Sequence, residues 1–186
     1  RLQVSHCKVA GRANHGGGAA LLARLHAARL AGVDVRGDQY PYLAGGTFLN
    51  ALLPGAAQAG GTQAMRARLA DPVGRKGLRE LAEDPEYGQG FWSRVTPADV
   101  LVTTHATRSD VVGRTLADLA GSADAFDTLC EVLLGDPGAG MVITMMAEAD
   151  VEVIMADPLI GIGSDNGPPV GLQHPRTWGC FPRVLG

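Results

Sequence analysis

The sequence lacks the features that mark membrane, disulfide-rich secreted and nucleic-acid-binding proteins. No apolar run reaches the roughly 18 residues of a transmembrane helix, and no signal-peptide architecture is present. Three cysteines lie far apart, which argues against a disulfide framework and predicts a reducing cytoplasm. A net charge of −3 gives no electrostatic basis for binding nucleic acid or an anionic membrane.

Several common catalytic motifs are also absent, namely HExxH, CxxC and GxSxG. Gly16, Gly17 and Gly18 do not have the spacing of a phosphate-binding loop. The 186 residues, 46% of them apolar, suit one domain with a sizeable core. The chain begins at Arg1 within a strand-like stretch and ends at Gly186 without a closing element, so we expect a fragment of a longer protein.

The first 42 residues predict a strand, a helix and a second strand. Leu2 and Val4 alternate with polar residues, which is typical of a strand. Apolar spacing predicts a helix over residues 19–31, stopped by Gly32, and a second strand begins at Val33 and leads to Asp38. This order predicts a βαβ unit and a parallel sheet.

Strands and helices continue to alternate beyond this unit. Residues 44–99 are rich in Gly and Pro and predict an insertion, with short helices near 62–70 and 75–83. We predict further strands at 100–103, 141–145 and 159–163, and helices at 110–120, 124–134 and 147–156. The fold class is therefore α/β, and the pattern suits part of a (β/α)8 barrel, whose active site forms at the strand carboxyl ends.

Two predicted strand ends carry side chains that suit catalysis. His6 could be a zinc ligand at the first strand end, and the alternative is an ordinary hydrogen-bonded histidine. Lys8 could bind a substrate carboxylate, bridge metal ions when carbamylated, or be a solvated loop lysine. Cys7 points the other way and is interpreted as a packed thiol. Asp165 ends the last strand, where it could accept a proton from a water or cap a turn.

Two further residues could contact a polar ligand. Arg176 offers a planar fork suited to a carboxylate, and its alternative is a surface arginine. The hydroxyl of Tyr40 could orient a ligand, although tyrosines at a strand end are more often packing residues. These residues include too few metal ligands for a catalytic zinc, which needs three protein ligands and an open position.

Taken together, the motifs resemble, in order, the C-terminal half of the N-acyl-D-amino-acid deacylases of the amidohydrolase superfamily. The matching stretches are SHCKVAG, DQYPYLAGGT, ALLPGAAQAGG, IGIGSDNGPP and HPRTWGCFPRVLG. The resemblance implies strands about six to eight of a (β/α)8 barrel, with a small β-sandwich in the complete protein. It also implies zinc-dependent hydrolysis of the amide of an N-acyl-D-amino acid, a non-peptide C–N bond, to a carboxylate and a free D-amino acid.

The same resemblance assigns roles to individual residues. It makes His6 a zinc ligand, Lys8 and Arg176 anchors for the substrate carboxylate, and Tyr40 a substrate contact. It makes Asp165 the catalytic acid/base, which takes a proton from zinc-bound water and passes it to the leaving amine. Asn166 stands where the family usually has glycine, and the family's HxH motif, metal-binding cysteine and strand-five histidine have no counterpart here.

Two other functions stay open at this stage. One is an amidohydrolase acting on a cyclic amide, with hydantoinase-like or dihydroorotase-like chemistry. The other is a truncated remnant without catalytic activity, because residues 1–186 alone cannot complete the family's zinc site. The partner expected for the complete protein is a small-molecule N-acyl amino acid, and the sequence does not specify an oligomeric state.

Overall fold

Strands and helices alternate along most of the chain. The computed structural model describes residues 1–84, 90–167 and 169–186. In chain order its strands and α-helices are β1 (Leu2–Val4), α1 (Gly18–Leu30), β2 (Val35–Gln39), β3 (Ala44–Phe48), α2 (Gly55–Gln58), α3 (Gly61–Ala70), α4 (Pro72–Glu83), β4 (Val100–Thr104), α5 (Leu116–Ala120), α6 (Ala125–Gly135), β5 (Gly140–Thr144), α7 (Glu148–Met155), β6 (Ile160–Ile162) and α8 (Arg176–Leu185). Within these described ranges, none of the helices has the length and apolarity required to cross a membrane.

The described residues divide into two compact units. The first unit comprises Arg1–Ala44, Met145–Pro169 and Gln173–Gly186, and the second comprises Gly45–Thr144 and Val170–Leu172. Most of the predicted insertion at 44–99 falls in the second unit, although its residues 85–89 lie outside the described ranges. The chain therefore leaves the first unit after β2 and returns to it before α7.

The first unit is built on a parallel sheet with the strand order β1-β2-β6. Leu2 lies opposite Val35 in the first strand pair, and Gly37 lies opposite Ile160 in the second. Helix α1 connects β1 to β2, which confirms the predicted βαβ unit. Because all three strands run in one direction, their carboxyl ends meet at one edge of the sheet.

One face of this sheet packs against helices through an apolar cluster. Its buried members are Cys7, Val9, Leu22, Leu25, Val35, Ile154 and Leu159. Gly37 allows the close packing, because a Cβ there would lie 2.6 Å from Cys7 Sγ and 2.7 Å from Ile160 Cδ1. Cys7 is 3% exposed, so the prediction of a packed thiol is confirmed, and burial raises the pKa of this thiol.

The opposite face of the same sheet is polar. Successive residues of a strand face opposite sides, so Gln3, Arg36 and Asp38 lie on the face away from the apolar cluster. These residues line a groove of about 570 Å³ that Ile162 and Asp165 also border. The sheet therefore separates an apolar, helix-covered face from a polar face that ends near the candidate residues.

A buried carboxylate ties α7 to the start of α1. Asp150 is 4% exposed, and its two oxygens accept the backbone N–H groups of Gly16 and Gly18, each at 2.8 Å. These N–H groups belong to the loop and first turn of α1, where donors lack partners within the helix. A Cβ on Gly18 would lie 3.0 Å from Asp150 Oδ1, so glycine makes room for this anchor.

The second unit has its own sheet, with the strand order β3-β5-β4. Strands β4 and β5 are antiparallel, with Val100 opposite Ile143 and Val102 opposite Met141. All four of these side chains are buried. The expectation that strands 100–103 and 141–145 continue a parallel barrel sheet is therefore wrong, because their apolar residues build one buried face of a separate sheet.

Most predicted helices are confirmed, and two elements near the candidate residues were missed. Strand β3 and the helix that follows Pro175 have no counterpart among the predicted elements. In the structure, residues Arg176–Leu185 form α8, with Pro182 inside the helix. Because proline and glycine usually interrupt helices, the composition of this segment concealed the helix.

Candidate active site

The predicted site residues follow the strands at the carboxyl edge of the parallel sheet. His6 and Lys8 follow β1, Tyr40 follows β2, and Asp165 follows β6. Arg176 reaches the same place from the first turn of α8, where its Nη1 lies 2.8 Å from Asp165 Oδ2. Side-chain contacts link Lys8 to Tyr40, Tyr40 to Arg176 and Arg176 to Asp165, whereas His6 is held through its backbone.

Two of these residues have a left-handed backbone. Among the described residues, the non-glycine positions with positive φ are His6, at 44°, and Asp165, at 48°. A side chain in this region costs about 1–2 kcal/mol, so its neighbours must hold it there. Such strain concentrates at functional sites, and here it coincides with the predicted zinc ligand and the predicted acid/base.

Asp38 accounts for the unusual turn at His6. One Asp38 oxygen accepts the backbone N–H of His6 at 2.8 Å, and the other accepts Nε2–H of Gln3 at 2.8 Å. The Asp38 carbonyl accepts the N–H of Cys7 at 2.7 Å. A Cβ on Gly163 would lie 3.0 Å from Asp38 Oδ1, so glycine makes room there as well. The sequence analysis placed Asp38 only at the end of the second predicted strand and missed this role.

Arg176 is a buried cation that contacts Asp165 and Tyr40. Its side chain is 6% exposed, and the guanidinium donates to Asp165, whose side chain is 33% exposed. The guanidinium carbon also lies 4.7 Å from the centre of the Tyr40 ring. The reading of Arg176 as a surface arginine is therefore wrong, because a helix start and an aromatic face bury it.

Tyr40 contacts both candidate cations. It is 1% exposed, and Lys8 Nζ lies 5.2 Å from its ring centre. Burial raises the pKa of Tyr40 to about 12, against the opposing charge of Arg176, so the hydroxyl stays protonated. Burial lowers the pKa of the Lys8 ammonium, and the Asp165 carboxylate opposes that change.

His174 braces this cluster and was not given a role from the sequence. Its Nε2 lies 2.9 Å from the Ala44 carbonyl oxygen, and its Nδ1 accepts the backbone N–H of Arg176 at 2.9 Å. Its ring meets Tyr40 and Tyr42 edge-on, with centres 6.2 and 5.3 Å away. The only sequence signal was its position two residues before Arg176.

Gln39 is a buried polar residue that the described residues do not satisfy. It is 1% exposed, and neither its Oε1 nor its Nε2 has a hydrogen-bond partner there. A buried amide without partners costs about 1–3 kcal/mol. Gln39 is the last residue of β2 and directly precedes Tyr40, so a buried amide without partners lies next to a site residue.

The described residues do not fit a zinc site on their own. Within residues 1–84, 90–167 and 169–186, no three His, Cys, Asp or Glu side chains form a cluster that could hold a metal ion. A catalytic zinc takes three protein ligands. His6 can therefore supply no more than one of the three ligands, and the described residues do not supply the other two.

No profile of a known protein family matches the chain. Individual proteins do match. The D-aminoacylase of Alcaligenes xylosoxydans xylosoxydans is 32% identical over 185 residues, which cover 98% of this chain. The match spans only 29% of the length of that relative.

Solved structures give the same result for the fold. A D-aminoacylase described with a binuclear metal center has a TM-score of 0.66 and 32% identity, over 99% of this chain and 30% of that protein. The N-acyl-D-glutamate deacylase from Bordetella bronchiseptica, complexed with zinc and a phosphonate inhibitor, has a TM-score of 0.67 and 28% identity over the same shares. The resemblance to the N-acyl-D-amino-acid deacylases is thus confirmed, over about 30% of such a protein.

Proposed function

We propose that this chain supplies the substrate anchor and the acid/base group of a zinc-dependent amidohydrolase acting on N-acyl-D-amino acids. The observation that supports this function most strongly is one cluster, in which Lys8 and Arg176 both lie against the buried ring of Tyr40 beside Asp165. Two cations beside one carboxylate favour a bound anion. An N-acyl amino acid carries one carboxylate at the carbon next to its amide.

In this proposal, Arg176 and Lys8 hold the substrate carboxylate. The guanidinium fork suits two parallel hydrogen bonds to a carboxylate, and its burial strengthens them. The substrate carboxylate takes the place on Arg176 that Asp165 occupies in the structure. The protonated Tyr40 hydroxyl, whose burial leaves it without a hydrogen bond of ordinary geometry, can then donate to a substrate oxygen.

Asp165 then performs the proton transfers. Displaced from Arg176, its Oδ2 accepts a proton from the attacking water and passes it to the nitrogen of the leaving amine. The amide C–N bond breaks, and the products are a carboxylate and a free amino acid. Asp165 follows β6 and is held in a left-handed backbone conformation, and its side chain is 33% exposed, which leaves room for this exchange.

The predictions on metal, barrel and domain organisation belong to the same proposal. His6 is proposed as one zinc ligand, with the remaining ligands supplied from outside the described residues. The parallel sheet, with helices on one face and polar side chains on the other, supports a C-terminal part of a (β/α)8 barrel, about strands six to eight. We propose that the complete protein adds a small β-sandwich and acts in the cytoplasm on a small molecule, without nucleic acid or membrane.

The test is an assay of the complete protein that carries this chain. We would measure release of free amino acid from N-acetyl-D- and N-acetyl-L-amino acids, with zinc and with a chelator. The proposal expects chelator-sensitive release from the D series and its loss in Asp165→Asn. Asp157→Asn is the matched control, because this carboxylate pairs with His26 at 2.7 Å and has no role in the proposed chemistry.

Other results would point elsewhere. Release from a cyclic ureide but from neither N-acetyl series would favour the hydantoinase-like alternative. Failure to bind zinc or to hydrolyse any of these amides would favour a non-catalytic remnant. Full activity in Asp165→Asn would refute the role given to Asp165.

A further inference from the structure

His174 is a buried side chain with two hydrogen bonds that have no role in the proposed chemistry. It is 6% exposed and connects the segment after β2 to the first residue of α8. Its Nε2 lies against a carbonyl oxygen, which can only accept a hydrogen bond. Its Nδ1 faces the backbone N–H of Arg176, which can only donate.

These two contacts determine the chemical form of the ring. Nε2 must carry the proton and Nδ1 must be unprotonated, so the imidazole is the neutral Nε2–H tautomer. The charged and titratable groups that face it agree with this form. Burial and the Arg176 charge lower the pKa of His174, while Asp165 and the hydrogen bond at Ala44 oppose the change.

His174 also supplies a hydrogen-bond acceptor at the start of α8. The first N–H groups of a helix have no partner within the helix and need one from outside. Pro175, in the cap position, makes no side-chain hydrogen bond to them. The His174 ring instead takes the N–H of Arg176, so it fixes the backbone of the residue whose guanidinium lies over Tyr40.

We propose that His174 is a positioning residue, which in its neutral Nε2–H tautomer sets the direction of Arg176 toward the substrate carboxylate. The inference rests on the proposed function, because it assigns Arg176 to that carboxylate. Both ring nitrogens are occupied by the backbone, so His174 serves neither as a general base nor as a metal ligand. Its effect reaches the substrate only through Arg176.

Two substitutions separate its two hydrogen bonds. In His174→Asn, the amide oxygen replaces Nδ1 and still accepts from Arg176, while the contact to Ala44 is lost. In His174→Gln, the amide nitrogen replaces Nε2 and still donates to Ala44, while the acceptor for Arg176 is lost. We expect the KM for an N-acetyl-D-amino acid to stay within about threefold in the Asn variant and to rise about tenfold or more in the Gln variant, with a smaller change in kcat.

His105, in the second unit, provides a matched control. Its Nε2 lies 3.2 Å from the Val132 carbonyl, and its Nδ1 accepts the backbone N–H of Arg108 at 3.0 Å. The same Asn and Gln substitutions at His105 remove the same kinds of hydrogen bond from a loop without a site residue. We expect them to lower thermal stability and leave KM unchanged.

A second readout does not depend on catalysis. Ring nitrogen NMR of the histidine-labelled complete protein at neutral pH should report His174 as the Nε2–H tautomer. An Nδ1–H tautomer or a protonated ring would overturn the inference, whatever the activity. Equal KM values in both His174 variants would also overturn it. A residue that only stabilises the fold would not make KM depend on which of the two hydrogen bonds is kept. If the wild-type protein hydrolyses no N-acyl amino acid and still shows the Nε2–H tautomer, the proposed function and Arg176 positioning fail while the hydrogen bonds stand.

Discussion

The two units of the molecule bury different kinds of side chain. Of the largest fully buried side chains among the described residues, those in the second unit are all apolar: Leu49, Leu52, Leu53, Leu69, Leu116, Phe126, Leu129, Leu133, Met141 and Ile143. Of the buried polar or charged side chains in the same ranges, only Thr103 lies in the second unit. Those of the first unit are Gln39, Asp150, His174 and Arg176.

One ion pair from each unit shows the same difference. Arg79 of the second unit pairs with Asp124 at 2.8 Å, with side chains 29% and 44% exposed, where such pairs contribute little. Arg176 of the first unit pairs with Asp165 at the same distance while almost fully buried. Sites that bind or transfer charge often bury charged and polar groups at a cost in stability, which the rest of the fold offsets. Among the described residues, the buried polar and charged side chains therefore lie mainly in the first unit, and the largest buried apolar side chains lie mainly in the second.

The largest effect should come from breaking the apolar core of the second unit. Leu129 of α6 is 0% exposed, and Leu129→Ala should lower the free energy of unfolding by about 3 kcal/mol or more. KM of the folded fraction should not change. Urea unfolding and steady-state kinetics check both parts. Leu30→Ala is the control, because Leu30 is 91% exposed and should show almost no change.

The next effect should appear in the first unit as a loss of binding. Arg176→Ala should raise KM for an N-acyl-D-amino acid about 100-fold, equivalent to about 2.7 kcal/mol, because it removes the buried anchor. Arg183→Ala, on the same helix but 51% exposed, should leave KM within about twofold. A KM rise of equal size in both variants would contradict the special role of Arg176.

A smaller effect, of opposite sign, should sharpen the contrast between the units. Gln39→Met removes an unsatisfied buried amide and keeps the volume, so it should raise the free energy of unfolding by about 1–2 kcal/mol. Gln3→Met should not stabilise, because Gln3 Nε2 donates to Asp38. Chemical unfolding of the two variants checks this prediction. A lower free energy of unfolding in Gln39→Met would mean that the Gln39 amide has hydrogen-bond partners in solution.

The smallest effect should come from the surface of the second unit. Asp124 caps α6 by accepting the N–H of Asp127 at 2.8 Å and also pairs with Arg79. Asp124→Ala should lower the free energy of unfolding by about 1 kcal/mol, and Arg79→Ala by less, because only the first removes the cap. The reverse order in thermal unfolding would show that the ion pair dominates.

Sequence patterns predicted the first unit's scaffold well, because its signals are local. The alternation at Leu2 and Val4 and the stop at Gly32 are short-range features, and Gly32 indeed ends α1 with a φ of 88°. The separate sheet of β3, β4 and β5 could not be predicted in the same way. A strand such as Val100–Thr104 has the same apolar sequence pattern whether its partner runs parallel or antiparallel, because the partner lies far along the chain.

The site shows the same division between chemistry and geometry. The residue types of Lys8, Tyr40, Asp165 and Arg176 indicated anion binding and proton transfer, and the resemblance gave them roles. The pairing of Arg176 with Asp165 and the brace from His174 depend on α8, whose Pro182 and glycine concealed the helix. The clamp from Asp38 to His6 joins the ends of two strands and has no signal in either strand alone.

The interrupted order of the first unit has a consequence for biosynthesis. Strand β6 pairs with β2, but the whole of the second unit's main segment, Gly45–Thr144, is synthesised between them. Closing a long free loop costs more entropy than closing a short one, so β6 docks more readily once the intervening segment has folded. Because a chain emerges from the ribosome from its N-terminus, the second unit can fold before β6 appears. Asp165 and Arg176 follow β6, so the charged cluster forms only after β6 has been synthesised, and shorter nascent chains carry no complete anchor.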